Sequence, residues 1–313
     1  MPSGLVVTVI PNWNLREDLC ECLESLRFTT YKPHHVIVVD NGSTDDSVAF
    51  VAANYPEVEL IALTKNWGYA AALNAGIVRA LDINARYVFA LNNDTIVPPD
   101  TITQLVQILE TDNMIGIVAP KSLIHSQPTH VYSLGDRIYS WLPLPLGFGY
   151  NQKDRPAFGR IMDFDYVTGC AMLIRSEVFQ KIGFFDTGFF LYYEDSDFCR
   201  RTRDAGFRII CAGQTIIYHK VSQSTNKNRP ASLRIRARNR VRFYRRYRHG
   251  PTPALTIIAL ALIALWRIVS YVFTGQANLI APYLLGLWEG WREGVIPPEY
   301  YRPSAKQDTS MTS

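Results

Sequence analysis

The stretch Val38-Val39-Asp40-Asn41-Gly42-Ser43-Thr44-Asp45-Asp46 runs from an apolar segment through a polar turn into an acidic helix start. Its reading decides the fold. Asp40 closes a buried strand, Gly42 permits a tight turn, and Ser43 or Thr44 suits the cap of the next helix, with acids in the first turn. A well-made strand-to-helix turn accounts for Gly42 and the acids after it. It does not account for Asp40 at the mouth of a sheet, where a carboxylate can accept hydrogen bonds from a ribose or a base.

The same alternation extends in both directions. Residues 5–10, 35–39, 58–63, 87–91 and 115–119 are apolar runs that read as strands. Between them helical spacing predicts helices, the first with Leu15, Leu19, Cys22, Leu23 and Leu26 on one face, then over 47–55, 70–81 and 101–109. Uniformly apolar strands are buried on both faces, and alternation with helices implies crossovers in a mainly parallel central sheet flanked by helices. Ligands in such α/β sheets collect beyond the carboxyl ends of the strands. Those ends carry Pro11-Asn12, Asp40-Asn41-Gly42, Thr64-Lys65-Asn66 and Asn92-Asn93-Asp94, so the site is expected there. Further along, 167–174 and 208–218 read as strands and 196–205 as a helix, while 140–158 is a Pro- and Gly-rich aromatic loop suited to shaping a substrate pocket.

The chain has 313 residues, 48% apolar and 19% charged, enough for a sizeable core and too apolar for disorder. Five scattered cysteines, Cys20, Cys22, Cys170, Cys199 and Cys211, lack zinc-like pairing and read as free thiols in a reducing compartment. The run 5–10 ends at once in Pro11-Asn12, too short for a secretory signal. Charge is uneven. No acid lies among the 84 residues between Asp204 and Glu289, which hold 13 Lys/Arg; the remainder carries 19 basic against 28 acidic residues.

Two further stretches could carry chemistry. In Leu91-Asn92-Asn93-Asp94-Thr95 a carboxylate at a strand end can hold a hard divalent cation that also bridges a diphosphate; the plainer reading is a capping Asp before Pro98-Pro99. In Tyr193-Glu194-Asp195-Ser196-Asp197 three carboxylates follow an aromatic run and open a helix. Crowding and burial raise a carboxylate's pKa towards that of a general base, although pairing with Arg200, Arg201 and Arg203 is the structural alternative.

Together these stretches resemble the inverting glycosyltransferases of family 2, of GT-A fold, especially rhamnosyltransferase-like bacterial members. Residues 7–14, 39–45, 66–76, 91–94, 168–175 and 193–197, with Tyr218-His219, follow the family's order across roughly residues 5–225. The resemblance implies that Pro11, Asn12, Asn14 and Asp40 hold the base and ribose of a nucleotide-sugar. Asn66, Gly68, Asn74 and Gly169 would line its diphosphate and sugar side. Asn92-Asn93-Asp94 stands in place of the family's D-x-D motif, with Asn92 where many members have Asp. A divalent metal, Mg²⁺ or Mn²⁺, would then rest on Asp94, with His219 completing its site. Asp195 would be the general base that deprotonates the acceptor, with Glu194 orienting the acceptor or sharing that role. The donor is expected to be dTDP-rhamnose or a UDP-sugar, and the acceptor a hydroxyl of a cell-surface glycan precursor, free or lipid-linked. The rival of a different class is a catalytically silent nucleotide-sugar-binding scaffold, favoured only by Asn92. A nucleotidyltransferase would need a basic Gly-rich loop after the first strand, which Pro11-Asn12-Trp13-Asn14 is not.

The expected organisation is a catalytic domain over 1–225, its nucleotide half 1–119 and its acceptor half 120–225, then a basic and apolar helical region over 226–300 and a disordered tail over 301–313. Arginines alternate from Arg234 to Arg242, and 254–273 is a 20-residue apolar stretch. At 1.5 Å per residue that stretch is about 30 Å long, one hydrocarbon thickness. Its eleven Leu, Ile, Val and Phe residues favour insertion by about 3–7 kcal/mol against up to about 3.5 for Arg267. The preferred expectation is helices lying on the cytoplasmic face of a membrane with arginines on anionic headgroups. A single span is second, homo-oligomerisation through the apolar helices third, and nucleic acid is not expected as a partner.

Overall fold

The computed structural model describes residues 4–138, 147–221, 228–247 and 253–293. Four strands, β1 (Val6–Asn12), β2 (His34–Asp40), β3 (Glu59–Ala62) and β4 (Tyr87–Leu91), alternate with α1 (Arg16–Arg27), α2 (Ser47–Asn54) and α3 (Tyr69–Asp82). They pair in parallel in the order β3-β2-β1-β4, so the order in which strands are added reverses beside β1. The strands are largely apolar because alternate residues feed opposite cores. Val7, Val9 and Val39 pack with Leu73 and Ile77 of α3, while Val6, Ile10 and Val38 pack with Leu19 and Leu23 of α1 and Val51 of α2.

Beyond β4 come β5 (Thr95–Ile96), α4 (Thr101–Leu109), β6 (Ile115–Ile124), β7 (Gln127–Ser133), β8 (Ile161–Asp163), β9 (Ala171–Arg175), α5 (Ser176–Ile182), α6 (Glu194–Asp204) and β10 (Arg208–His219). The sheet continues β4-β9-β6-β10-β5, with β7 on β6 and β8 on β10. β9 runs antiparallel to both β4 and β6, so the mainly parallel sheet carries an antiparallel insertion at its centre. Residues 167–174 were expected as one strand; it begins only at Ala171, because Gly169 and Cys170 form the preceding turn. The cap expected at Ser43 or Thr44 also differs. Asp45 accepts from the Ser47 amide at 3.1 Å, leaving Ser43 to bind Asp40. All five cysteines are free thiols, four of them buried.

The C-terminal part is helical: α7 (Arg229–Arg246), α8 (Pro253–Phe273) and α9 (Ile280–Arg292). α7 lies against α9, and a Cβ on Gly286 would come within 2.2 Å of the Arg234 carbonyl oxygen, so glycine sets how closely the two helices approach. The arginines of α7 were expected on anionic headgroups; several of them make contacts within the protein. Arg246 sits between Asp186 and Asp197 at 2.6 Å from each, Arg240 reaches the Tyr193 hydroxyl, Arg242 and Arg238 donate to the carbonyls of Gly188 and Phe189, and Arg234 pairs with Glu289. An alternating R-x-R run winds around a helix at 100° per residue, so Arg234, Arg238 and Arg242 share one face, which meets both Glu289 of α9 and the carbonyls of Gly188 and Phe189, while Arg236 and Arg240 lie on another. The expected domain boundary at 225 and the tail 301–313 lie outside the described residues.

Candidate active site

Strand ends bring the predicted residues together. Asn12 at the end of β1 donates through Nδ2 to Asp40 Oδ1 at 3.1 Å, and its Oδ1 accepts from Asn93 Nδ2 at 2.7 Å. Asp40 accepts from the Ser43 amide at 2.9 Å and the Ser43 hydroxyl at 2.5 Å. Pro11, Asn12 and Asp40 are buried, so β1, β2 and β4 are stitched at their tips. Asn14, in the left-handed region at φ 54°, accepts from the Thr44 amide at 2.6 Å and the Asp45 amide at 3.2 Å. Asn41 links across to Asn66 Oδ1 and the Gly68 carbonyl, both at 3.1 Å. Gly68 has φ 93°, and a Cβ there would meet the Phe190 ring at 2.6 Å, which leaves only glycine. Asn74 stands apart from the mouth. Its amide makes both bonds to the Phe185 backbone, at 2.8 and 3.0 Å, and fixes the chain that leads to α6.

β5 pairs with the end of β10, with Thr95 opposite His219, and this register sets His219 beside Asp94. Asp94 Oδ1 and His219 Nε2 are 3.1 Å apart, and both residues are buried. Neither atom makes a directed hydrogen bond, and His219 Nδ1 is also without one. Buried polar atoms are rarely left so. Two ligand atoms 3.1 Å apart match the spacing of adjacent ligands around an octahedral ion at about 2.1 Å, so the pair fits a divalent cation. No group of three or more His, Cys, Asp or Glu suited to a metal occurs among the described residues, so diphosphate oxygens and water would supply the remaining ligands.

Asn92 is held differently. Its Oδ1 accepts from the Tyr69 hydroxyl at 2.9 Å, and Tyr69 also reaches the Gly169 carbonyl at 3.2 Å. The Gly169 amide donates to Asp195 Oδ2 at 3.1 Å. A continuous chain thus joins the Asn92-Asn93-Asp94 tip to the first turn of α6. Asp94 and Asp195 both act electrostatically on Tyr69 and Cys170, as expected of groups that lie close together.

The acidic turn divides into three environments. Asp195 is half-buried and accepts from the Tyr166 hydroxyl at 2.8 Å, from the Gly169 amide, and from the Ser196 amide at 2.7 Å. Burial pushes its pKa up while these donors pull it back. Glu194 is buried, its Oε2 has no partner, and burial followed by repulsion from Asp195 pushes its pKa well above the carboxylate range. Burial thus raises both neighbouring carboxyls, Glu194 without the donors that offset it at Asp195. Asp197 belongs elsewhere: it accepts from Arg201, Arg246 and Tyr247, at 2.8, 2.6 and 2.6 Å, and anchors α6 to α7. Tyr69, Asn93 and Tyr166 have roles that sequence reading did not assign. Tyr69 and Asn93 lay inside quoted stretches, whereas nothing local marks Tyr166.

This geometry agrees with what known proteins resemble the chain. The model of "Glycosyl transferase family 2" matches residues 7–183, more than half the chain, stopping short of α6 and His219. A low-salt glycan biosynthesis hexosyltransferase, Agl10, of Haloferax volcanii is 26% identical over 300 residues, covering 93% of this chain and 92% of that protein. The N-acetylglucosaminyl-diphospho-decaprenol L-rhamnosyltransferase of Mycobacterium tuberculosis is 26% identical over 231 residues, 67% of this chain and 74% of its own. Among solved structures, the mannosyltransferase PcManGT from Pyrobaculum calidifontis, in complex with GDP-Man and Mn²⁺, superposes with TM-score 0.55 at 19% identity, over 94% of this chain and 77% of its own. GalNAc-T7 with UDP, GalNAc and Mn²⁺ gives TM-score 0.61 at 14% identity over 81% of this chain and 51% of its own. The fold is therefore GT-A, and the chain belongs to glycosyltransferase family 2.

Proposed function

We propose that this glycosyltransferase moves a sugar with inversion from a nucleoside-diphosphate-sugar, dTDP-rhamnose or a UDP-sugar, to a hydroxyl of a cell-surface glycan precursor. The observation that carries this reading is the unpartnered Asp94–His219 pair, joined through Asn92, Tyr69 and Gly169 to Asp195. Asp94 and His219 would hold a divalent ion, Mg²⁺ or Mn²⁺, which when bound neutralises charge on the departing diphosphate. The Mn²⁺ in both structural neighbours supports this. Asp40, with Asn12 and Asn14 behind it, faces the base and ribose; Asn66, Gly68 and Gly169 border the diphosphate and sugar.

Asp195 takes the proton of the attacking hydroxyl. Its donors offset part of the cost of burying its charge, which favours the accepting form, while Glu194 beside it orients the acceptor. A single displacement needs no covalent nucleophile. A lipid-linked acceptor and a seat on the cytoplasmic face of a membrane complete the reading. α8 offers a 20-residue apolar stretch of mean hydropathy 2.2, mostly exposed, and the mycobacterial relative is named for an acceptor on a polyprenyl diphosphate.

The test begins with thermal unfolding of detergent-stabilised protein with UDP, dTDP, GDP or ADP, each with and without Mn²⁺. Ligand at 100 times its Kd adds about 2.7 kcal/mol, a Tm rise of several degrees. One nucleotide is expected to act in a metal-dependent way. The matching nucleotide-sugar is then turned over, and Asp195→Asn lowers kcat by about 10²–10⁴-fold. Normal turnover in that variant removes Asp195 from the role of base. No shift with any nucleotide favours the silent scaffold.

A further inference from the structure

The chain entering the acidic turn is bent in an unusual way. Phe190, Tyr192 and Tyr193 lie in the left-handed region at φ 64°, 66° and 72°, three bulky residues in four positions. L-residues other than glycine avoid this region, and such backbone persists only where its surroundings over-determine it. The surroundings here are two. From the catalytic side, the Tyr69 amide donates to the Phe190 carbonyl at 2.7 Å. From behind, Asn239 of α7, fully buried, directs Nδ2 at the carbonyls of Phe189, Leu191 and Tyr192, at 2.7, 2.8 and 2.8 Å. Its Oδ1 accepts from Arg238 Nε at 2.9 Å, and Arg238 also reaches the Phe189 carbonyl. The amide cannot be reversed, because its oxygen would then face three acceptors.

We propose that Asn239 is a positioning residue: it gathers the carbonyls of Phe189, Leu191 and Tyr192 and so holds the backbone from which Glu194 and Asp195 project. Asn239 lies in the arginine-rich helix, beyond the residues matched by the family model. The helix that reads as a basic tail is thus part of the catalytic frame. The inference rests on the reading of Glu194 and Asp195 as the acceptor-side carboxylates.

The experiment uses the full chain and follows release of nucleoside diphosphate from dTDP-rhamnose, UDP-glucose and GDP-mannose with Mn²⁺, taking the donor of highest turnover. Asn239→Leu keeps the volume and removes the donors. It is expected to lower kcat by about tenfold to a hundredfold, as misplacement of a reacting group does. The donor KM and the nucleotide Kd measured calorimetrically stay within about twofold, since the donor side is built from other strand ends. Arg238→Met, at a partly exposed position, should show the same split in weaker form, and it decides the matter if Asn239→Leu does not fold. Unchanged kcat in both variants, or Kd and KM moving together with kcat, overturns the proposal. Asp195→Asn is run in parallel: if that variant turns over normally, the base reading falls, whereas an inactive Asp195→Asn beside normal Asn239 variants overturns this inference alone.

Discussion

At the scale of single residues, Asp94 and His219 matter because they are unsatisfied together. A buried carboxylate oxygen and a buried imidazole nitrogen 3.1 Å apart without a hydrogen bond are poorly accommodated by protein alone. Removing either should therefore act on the metal before it acts on the nucleotide. In Asp94→Asn and His219→Ala, the Mn²⁺ concentration giving half the nucleotide-dependent rise in Tm is expected to increase by about tenfold or more. An unmoved Mn²⁺ midpoint in both would remove the pair from the metal site. A second residue-scale consequence concerns pH. The Tyr166 hydroxyl donates to the ionised form of Asp195 and lowers its pKa against burial. In Tyr166→Phe the base holds its proton to higher pH, so the ascending limb of the pH–kcat profile moves up by about one unit. A limb that stays in place, or moves to lower pH, contradicts the assignment of Asp195.

At the scale of elements, the strand tips were legible and the insertion between them was not. Uniformly apolar runs ending in Asn12, Asp40 and Asn92 announce buried strands with a polar rim, because a strand buried on both faces has nowhere else to put polar side chains. β5 and β8, of two and three residues, carry no periodicity to read, and β9 inserts between β4 and β6 through partners distant in sequence. The role of Arg246 was illegible for a similar reason. Its carboxylate partners, Asp186 and Asp197, lie 60 and 49 residues away, so nothing local in the arginine run points to them. The α7–α9 contact can be tested as an element. Gly286→Val drives side-chain carbon into the Arg234 carbonyl, which should cost about 1–3 kcal/mol and lower Tm by several degrees. An unchanged Tm would mean the two helices do not pack as closely as described. On the sheet, His34 bonds Thr8 at 2.8 Å, and burial depresses its pKa to about 4. Its neutral form is the one the fold favours. Stability present above pH 6.5 is then lost as pH falls towards 4, by up to about 3 kcal/mol. His34→Gln should flatten that acid loss in a series of urea melts.

At the scale of the whole molecule, two surfaces are bound to each other by α7: the acceptor side of the site and the apolar face of α8. Leu255, Ile258, Leu262, Leu265, Val269 and Val272 recur at three- and four-residue steps and are 42–61% exposed, a stripe too long and apolar to stand in water without consequence. Its opposite face is already occupied, since Tyr271 packs with Ala237, Leu279 and Tyr283, with Ala264 against them. A helix clad by protein on one side suits the plane of a bilayer better than a span surrounded by lipid. Such seating would hold the acidic turn near the surface where a lipid-linked acceptor presents its hydroxyl. Because the buried arginines of α7 are already paired within the protein, attachment should depend on apolar contact more than on headgroup charge. The full chain, mixed with vesicles of phosphatidylethanolamine and phosphatidylglycerol and spun through a density gradient, is expected to float with the lipid, and about 0.5 M salt, which shortens screening to a few ångströms, should leave most of it bound. Leu262→Glu with Leu265→Glu places two charges on the exposed stripe and should cut binding by about tenfold or more while nucleotide-dependent Tm shifts persist. Release by salt alone would return the interaction to arginines and anionic headgroups, and failure to float on anionic and neutral vesicles alike would leave the stripe for a second copy of the chain, visible as a dimer in sedimentation.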